Sequence, residues 1–381
     1  MKRAVIFVAV VGAVVVAAAP GEARSPGVDG ALDRALQQLV EGPGGPPGAI
    51  VLVHRRGVTR VHRAGVADIP RRRPWRATDH MRIASVAKAF SGAVTLSLVG
   101  SGKLHLDDTI GELIPGQPAT WSQITLRQLL GHRSGLPDYT GSDAFGHDFI
   151  SDPFRRFTPR ELLAYAAPER LEFTPPGSRY KYSNTDNIAA ALMAEAVTRK
   201  PYEQLLRLLV YKPLGLHETS LPSGPALPRP FAHGYMPNPP GPPEDVSEAF
   251  SPSGAWASGG IVSTAGDLGR FVRGYVSGRL FGPAVRREQR RFGPGSSEPV
   301  GPGENSAGLA LFRYRLSCGT VYGHTGNIFG YTQFIAASSD GRRSATVSIN
   351  QQIAPPAGDP DAFGRLRQVF ELAACAALAG K

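Results

Sequence analysis

Leucines at 32, 36 and 39 fall on one face of a helix that Asp29 can cap and Gly42-Pro43 ends. A Pro- and Gly-rich stretch, 42–48, leads into the unbroken apolar run 49–53, which reads as a buried strand. Arg56-Gly57 then turns the chain into a second strand over 58–64, closing a hairpin. The same period-two patterning returns late in the chain. A hairpin-like pair is expected over 309–315 and 321–323, then strands over 331–337 and 344–350 with Asp340-Gly341 as the turn between them. The segment 363–378 ends this region as an amphipathic helix.

Between these ends the pattern is helical. Residues 84–98 form a long apolar helix stopped by Gly100 and Gly102, and 124–130 is a short helical stretch. Thr158-Pro159-Arg160-Glu161 is a capping-box start, and 185–199 and 202–209 continue the helical period. Strands at both ends with helices between them imply an α+β fold: one antiparallel sheet flanked by terminal helices, with a mostly helical domain inserted. The expected division is 24–83 plus 290–381 for the sheet domain and 84–289 for the helical domain.

Composition narrows the class. With 42% hydrophobic and 19% charged residues the chain is globular, and its 45 Gly and 34 Pro argue for long loops against bundles or repeats. Lys2 and Arg3 precede an apolar run over 4–19, and Gly21-Glu22-Ala23 is a cleavage-type site, so 1–23 reads as a signal peptide and the protein as secreted. That run is shorter than the roughly 20 residues that span a bilayer, so stable membrane insertion is not expected. Loss of 1–23 removes Lys2, Arg3 and Glu22, and the net charge of +11 becomes +10, 40 cations against 30 anions. Such a protein can be drawn to anionic envelope polymers. The arginine runs 71–73 and 286–291 lack interleaved aromatics, so nucleic acid is not an expected partner. Cys318 and Cys375 are the only cysteines, and in an oxidising compartment an even count suggests a bridge that would stabilise by about 4 kcal/mol.

Three short strings carry the chemistry. Ser85 opens the apolar helix and Lys88 follows one turn later on the same face, so the amine can reach the hydroxyl. A desolvated lysine near a helix N-terminus loses its proton readily and can accept that of serine. In Tyr182-Ser183-Asn184 a loop phenol can act as acid or base, and the Asn184 amide can bind both Lys88 and a substrate carbonyl. His324-Thr325-Gly326 lies on an expected strand that can pair with an extended substrate, Gly326 allowing close approach and Thr325 donating to a carboxylate. The Asn327 N–H just past it can complete an oxyanion hole with that of Ser85. Ser178-Arg179-Tyr180-Lys181 repeats the Ser-x-x-Lys spacing with no apolar helix behind it and reads as a decoy. No metal-ligand spacing or phosphate loop appears, so neither a metal nor another cofactor is expected.

In order and separation, these strings resemble the serine penicillin-recognising superfamily of β-lactamases, penicillin-binding DD-peptidases and related esterases. The similarity also takes in 124–136, 173–184, 259–264 and 324–350, nearly all of the chain after the leader, and is closest to soluble, secreted D-alanyl-D-alanine carboxypeptidases of class C-like build. The resemblance implies that Ser85 is acylated, that Lys88 and Tyr182 share proton transfer with either as base, and that Asn184 orients the substrate. It implies a single disulfide, Cys318–Cys375, and places His324 where many relatives carry lysine. It also implies a monomer acting on a peptidoglycan-type peptide or a β-lactam. His132 reads as structural, and Trp256 and Phe145 as candidate pocket walls.

Two departures bear on substrate. The matching carboxypeptidases bind the terminal carboxylate with an arginine where this chain has Phe312, and Arg313 should point to the opposite face of the strand. They carry threonine where Asn327 stands. Both departures weaken recognition of a free carboxylate and leave the acylation machinery intact, so a carboxypeptidase stays the leading expectation. A β-lactamase, or an esterase or D-aminopeptidase, stands beside it, and a non-catalytic envelope-binding module is the remaining alternative.

Overall fold

The computed structural model describes residues 27–293, 299–354 and 360–379; the segment 1–23, expected to be a signal peptide, lies outside them. Seven antiparallel strands form one sheet in the order Val58–Gly65, Gly48–Arg55, Ser344–Ile349, Tyr331–Ala337, Gly319–Ile328, Phe312–Leu316, Glu304–Ala307. Both chain ends thus build one sheet, and the long middle segment, mostly helices and loops, lies between its second and third strands in sequence. The strand Gly48–Arg55 shows why the run 49–53 had no polar alternation. Ala49, Val51 and Val53 face the helices Val28–Glu41 and Pro360–Leu378, while Ile50 and Leu52 join the core beneath the other helices. Arg56 and Gly57 turn the hairpin with positive φ, 52° and 77°.

Several local readings change. Asp29 does not cap the first helix: Gly27 is its N-cap, and Asp29 sits in the first turn bonded to Arg55 and Arg60, each at 2.6 Å. The stretch 84–98 is not one continuous helix. Ala84–Val86 is a 3-10 turn, with Ala84 at φ 51°, and the α-helix runs Ala87–Gly100. Residues 309–311 form a loop, so the late hairpin pairs Phe312–Leu316 with the longer Gly319–Ile328. The helix Ala265–Ser277 was not expected. Its signals are the Thr264 cap bonded to Asp267 N and the buried spacing Leu268, Phe271, Val272, Tyr275. Cys318 and Cys375 are bonded, with Cα atoms 5.6 Å apart, tying the turn of the late hairpin to the C-terminal helix.

Candidate active site

The helix Ala87–Gly100 is buried on nearly every side, which carries Lys88 into the interior while Ser85, in the turn before it, reaches a cleft. Lys88 Nζ lies 3.0 Å from Ser85 Oγ, 2.6 Å from Asn184 Oδ1 and 2.8 Å from the Ser258 carbonyl. With no solvent to share its charge, burial lowers the Lys88 pKa to about 7, against the opposing pull of Asp138 and Asp186. A lysine so placed is a free base in a useful fraction of molecules at neutral pH and can take the Ser85 proton.

Tyr182 flanks the same group, its ring centre 5.0 Å from Lys88 Nζ. Burial pushes its phenol well above the ordinary tyrosine range, and the neighbouring Ser85 hydroxyl draws it partly back. Its hydroxyl is buried without a well-aligned hydrogen bond. Asn184 is oriented more tightly than its place in the loop indicated. Its Oδ1 accepts from Lys88, while its Nδ2 donates to Asp138 at 2.8 Å and reaches Thr140 at 3.3 Å. Its amide hydrogens are therefore engaged by the protein, a departure from the expectation that they reach a substrate carbonyl. Asp138 also accepts the Asn184 backbone N–H at 3.1 Å. Neither Asp138 nor Thr140 was singled out in the sequence; only the short spacing after the Gly135-Leu136 turn places them.

The strand Gly319–Ile328 passes directly over the Ser85 turn. A Cβ added at Gly326 would stand 2.7 Å from the Ile83 carbonyl oxygen and 3.0 Å from Ser85 N. Its partner Phe312–Leu316 pairs only as far as Gly323, so beyond that point one edge of the strand is not paired by it. Asn327 lines the cleft, and its Oδ1 accepts from Thr332 Oγ1 at 2.6 Å. His324 and Thr325, read as substrate-binding, are instead buried and do not line the cleft. The His324 ring turns inward, donating from Nδ1 to the Thr325 carbonyl at 2.5 Å and packing edge-on against Phe312 at 5.0 Å. Burial lowers its pKa to about 3, opposed by that carbonyl and reinforced by Lys88 and His132, so the ring is neutral where a lysine would be cationic. Arg313 points away as expected, its guanidinium 4.7 Å from the Phe292 ring centre. Lys181 of the decoy string is exposed.

The cleft over Ser85 has a volume of about 480 Å³. Phe145 lines it as expected, but Trp256 does not; it packs on Tyr202 at 5.0 Å, with its indole N–H on Glu203. The wall is aromatic. Phe149 stacks on Phe329 at 6.2 Å and meets Phe250 at 6.1 Å, and exposed Ile150 stands beside them. Phe149, Phe250 and Phe329 come from three distant segments, and nothing local in the sequence marks them. Among the described residues, none that lines this cleft is charged.

A cleft serine paired with a buried lysine and a nearby tyrosine, beside a strand of an antiparallel sheet packed against helices, is the arrangement of a serine acyl-transfer hydrolase. The chain belongs to the family described as Beta-lactamase, whose model matches residues 32–369, and it is a serine hydrolase of the β-lactamase and penicillin-binding-protein fold. Among solved structures it is similar to a D-stereospecific amidohydrolase from Streptomyces sp., with 31% identity and a TM-score of 0.76, covering 89% of this chain and 98% of that one. It is also similar to the D-amino acid amidase from Ochrobactrum anthropi SV3 complexed with D-phenylalanine, with 25% identity, a TM-score of 0.77, and coverage of 90% and 98%. A D-aminopeptidase of Cereibacter sphaeroides is 30% identical over 209 residues, 54% of this chain. The match spans only 39% of that relative's length.

Proposed function

We propose that this protein hydrolyses amides or peptides of D-amino acids that carry a bulky apolar side chain and present no free carboxylate at the cleaved end, through an acyl-enzyme on Ser85. The observation that carries this reading is the cleft itself: aromatic, open to Ser85 and, among the described residues, lined by no charged side chain. A free carboxylate entering it would lose water and meet no charged side chain among the described residues of the wall, at a cost of several kcal/mol. The carboxypeptidase reading ranks behind for that reason, since Phe312 is buried against His324 and Arg313 faces Phe292. The names of the similar amidohydrolase, amidase and D-aminopeptidase support an amide of D configuration.

In this scheme Lys88 Nζ takes the Ser85 proton as Oγ attacks the carbonyl carbon. The carbonyl oxygen becomes an oxyanion held by the Ser85 and Asn327 N–H groups. Tyr182, kept protonated by burial, donates to the leaving nitrogen as the C–N bond breaks. Water, giving its proton back through the same pair, then cleaves the Ser85 ester.

The test compares kcat/KM for D-phenylalanine amide, its L enantiomer and an N-acylated peptide ending in D-Ala-D-Ala, with intact-mass detection of the acyl group on Ser85. We expect the D-amide to lead both others by about a hundredfold or more. Phe329→Ala should raise KM roughly tenfold for the phenylalanine substrate and leave an alanine amide unaffected. Preference for the carboxylate-terminated peptide would overturn the reading.

A further inference from the structure

We infer that Asp186 keeps its proton and donates it to His132 Nδ1, so that the two side chains form a neutral buried prop that positions Tyr182. The effect on turnover rests on the function proposed above; the place of the proton does not.

His132 follows Gly131 at the end of the helix Leu126–Leu130 with φ 51°, a left-handed conformation unusual for a side chain of this size. The residue is buried, and its ring centre lies 4.4 Å from that of Tyr182. His132 brackets Tyr182 along the chain. Its carbonyl accepts Lys181 N–H at 2.9 Å, and its Nδ1 faces Ser183 N–H at 3.4 Å. Asp186, fully buried in the first turn of the helix Asn184–Thr198, places Oδ2 at 2.7 Å from the same Nδ1. Its Oδ1 accepts from Ser134 Oγ. Ser134 Oγ in turn accepts Leu136 N–H at 2.9 Å, so its own proton is the one given to Asp186.

The proton follows from this geometry. A backbone N–H can only donate, so Ser183 N–H aimed at Nδ1 marks that nitrogen as the one with the lone pair. A lone pair and an ionised carboxylate oxygen at 2.7 Å would repel. The contact is a hydrogen bond only if Asp186 supplies the proton, which leaves the ring hydrogen of a neutral imidazole on Nε2. Among the described residues, Lys88, Asp138, Tyr180, Tyr182 and His324 are titratable groups around the pair, and Arg133 and Lys181 adjoin it through the backbone. Burial dominates over all of them, raising the Asp186 carboxyl well above the usual range and lowering His132 to about 3. A neutral Asp186 also adds no negative charge behind Lys88. That favours the free-base amine, since an ionised carboxylate there would hold the proton on Lys88.

Spectroscopy on the intact wild-type protein tests the inference whether or not a substrate is known. Nitrogen-15 NMR of His132 should show a neutral ring with its hydrogen on Nε2 between about pH 5 and 8. Infrared difference spectra should show a protonated-carboxyl band that disappears in Asp186→Asn. An imidazolium or Nδ1–H signature, or no such band, overturns the inference even if the variants fail to fold. For turnover, Asp186→Ala should lower kcat about a hundredfold with little change in KM. Asp186→Asn, which still donates to Nδ1 and accepts from Ser134, should recover at least about tenfold of that loss and keep the acid limb of the pH profile in place. If Asn is no better than Ala and the acid limb moves down by about a unit, Asp186 acts through its negative charge and the inference fails.

Discussion

Lys88 and Tyr182 lie against one another but are pushed to opposite protonation states by the same cause. Burial removes the proton from an amine and keeps it on a phenol, so one is suited to accept a proton and the other to donate one. The order of the strings leaves the base open because both residues reach the serine; the burial of each supports Lys88 as the base of the proposed scheme and Tyr182 as its acid. The sign for pH follows. Below about 7 Lys88 is charged and cannot accept a proton, so kcat/KM should rise tenfold per unit up to a limb near that value. It should then stay level to at least about pH 10, because Tyr182 titrates above the ordinary tyrosine range. Tyr182→Phe should cost about a hundredfold or more on an amide, whose nitrogen needs a proton to leave, and less than about tenfold on an activated phenyl ester. Equal losses on both substrates would remove Tyr182 from the role of leaving-group acid.

At the scale of elements, the site is a meeting of the 3-10 turn Ala84–Val86 with the strand Gly319–Ile328. Their approach depends on the absence of a side chain at Gly326. Gly326→Ala would press a methyl against the Ile83 carbonyl and the Ser85 and Val86 amides, all backbone atoms that cannot swing aside. The turn would be displaced from the strand, and with it the donor group for the oxyanion. We expect kcat to fall by about a hundredfold or more while the circular dichroism spectrum is retained. Wild-type turnover in a folded Gly326→Ala protein would show that this approach does not set the oxyanion donors. The Ser-Lys pair and the strand were legible in the sequence because each is a local signal, an apolar helix start with Ser and Lys one turn apart and a glycine within a strand pattern, whereas the 3-10 turn that replaces the first helical turn was not. His132 was legible only as a packing residue, since Asp186 lies 54 positions away and gives it meaning only once folded. Phe149, Phe250 and Phe329 were invisible for the same reason, as aromatic residues read as core until folding leaves them around a cleft. The inward turn of His324 depended on Phe312 across the strand pair, a tertiary contact that no spacing along the strand reports.

The sheet divides the whole molecule into two cores, one beneath the terminal helices and one among the helices of the middle segment. His324, on the sheet, and His132, after the helix Leu126–Leu130, are held neutral in the interior near Lys88. This arrangement makes stability sensitive to mild acid. Both histidines have folded-state pKa values near 3, so as pH falls through their ordinary value of 6.5 the unfolded chain binds two protons that the folded protein does not. Asp186 acts in the other direction, because its raised pKa means that the folded state already holds a proton which the unfolded chain lacks above 3.8. His54, lowered, and Glu195, raised, oppose one another. Two histidines outweigh one acid, and the net is about one proton more in the unfolded state. Unfolding free energy should therefore drop by about 1.4 kcal/mol per pH unit between roughly pH 6 and pH 5. Urea titrations at intervals across that range measure the slope directly. His324→Gln removes one of the two titrating rings, so its slope should be close to zero, whatever its stability at pH 7. An unchanged slope in that variant would mean that His324 is accessible to protons in the folded protein, and the neutral ring assigned to it would have to be withdrawn.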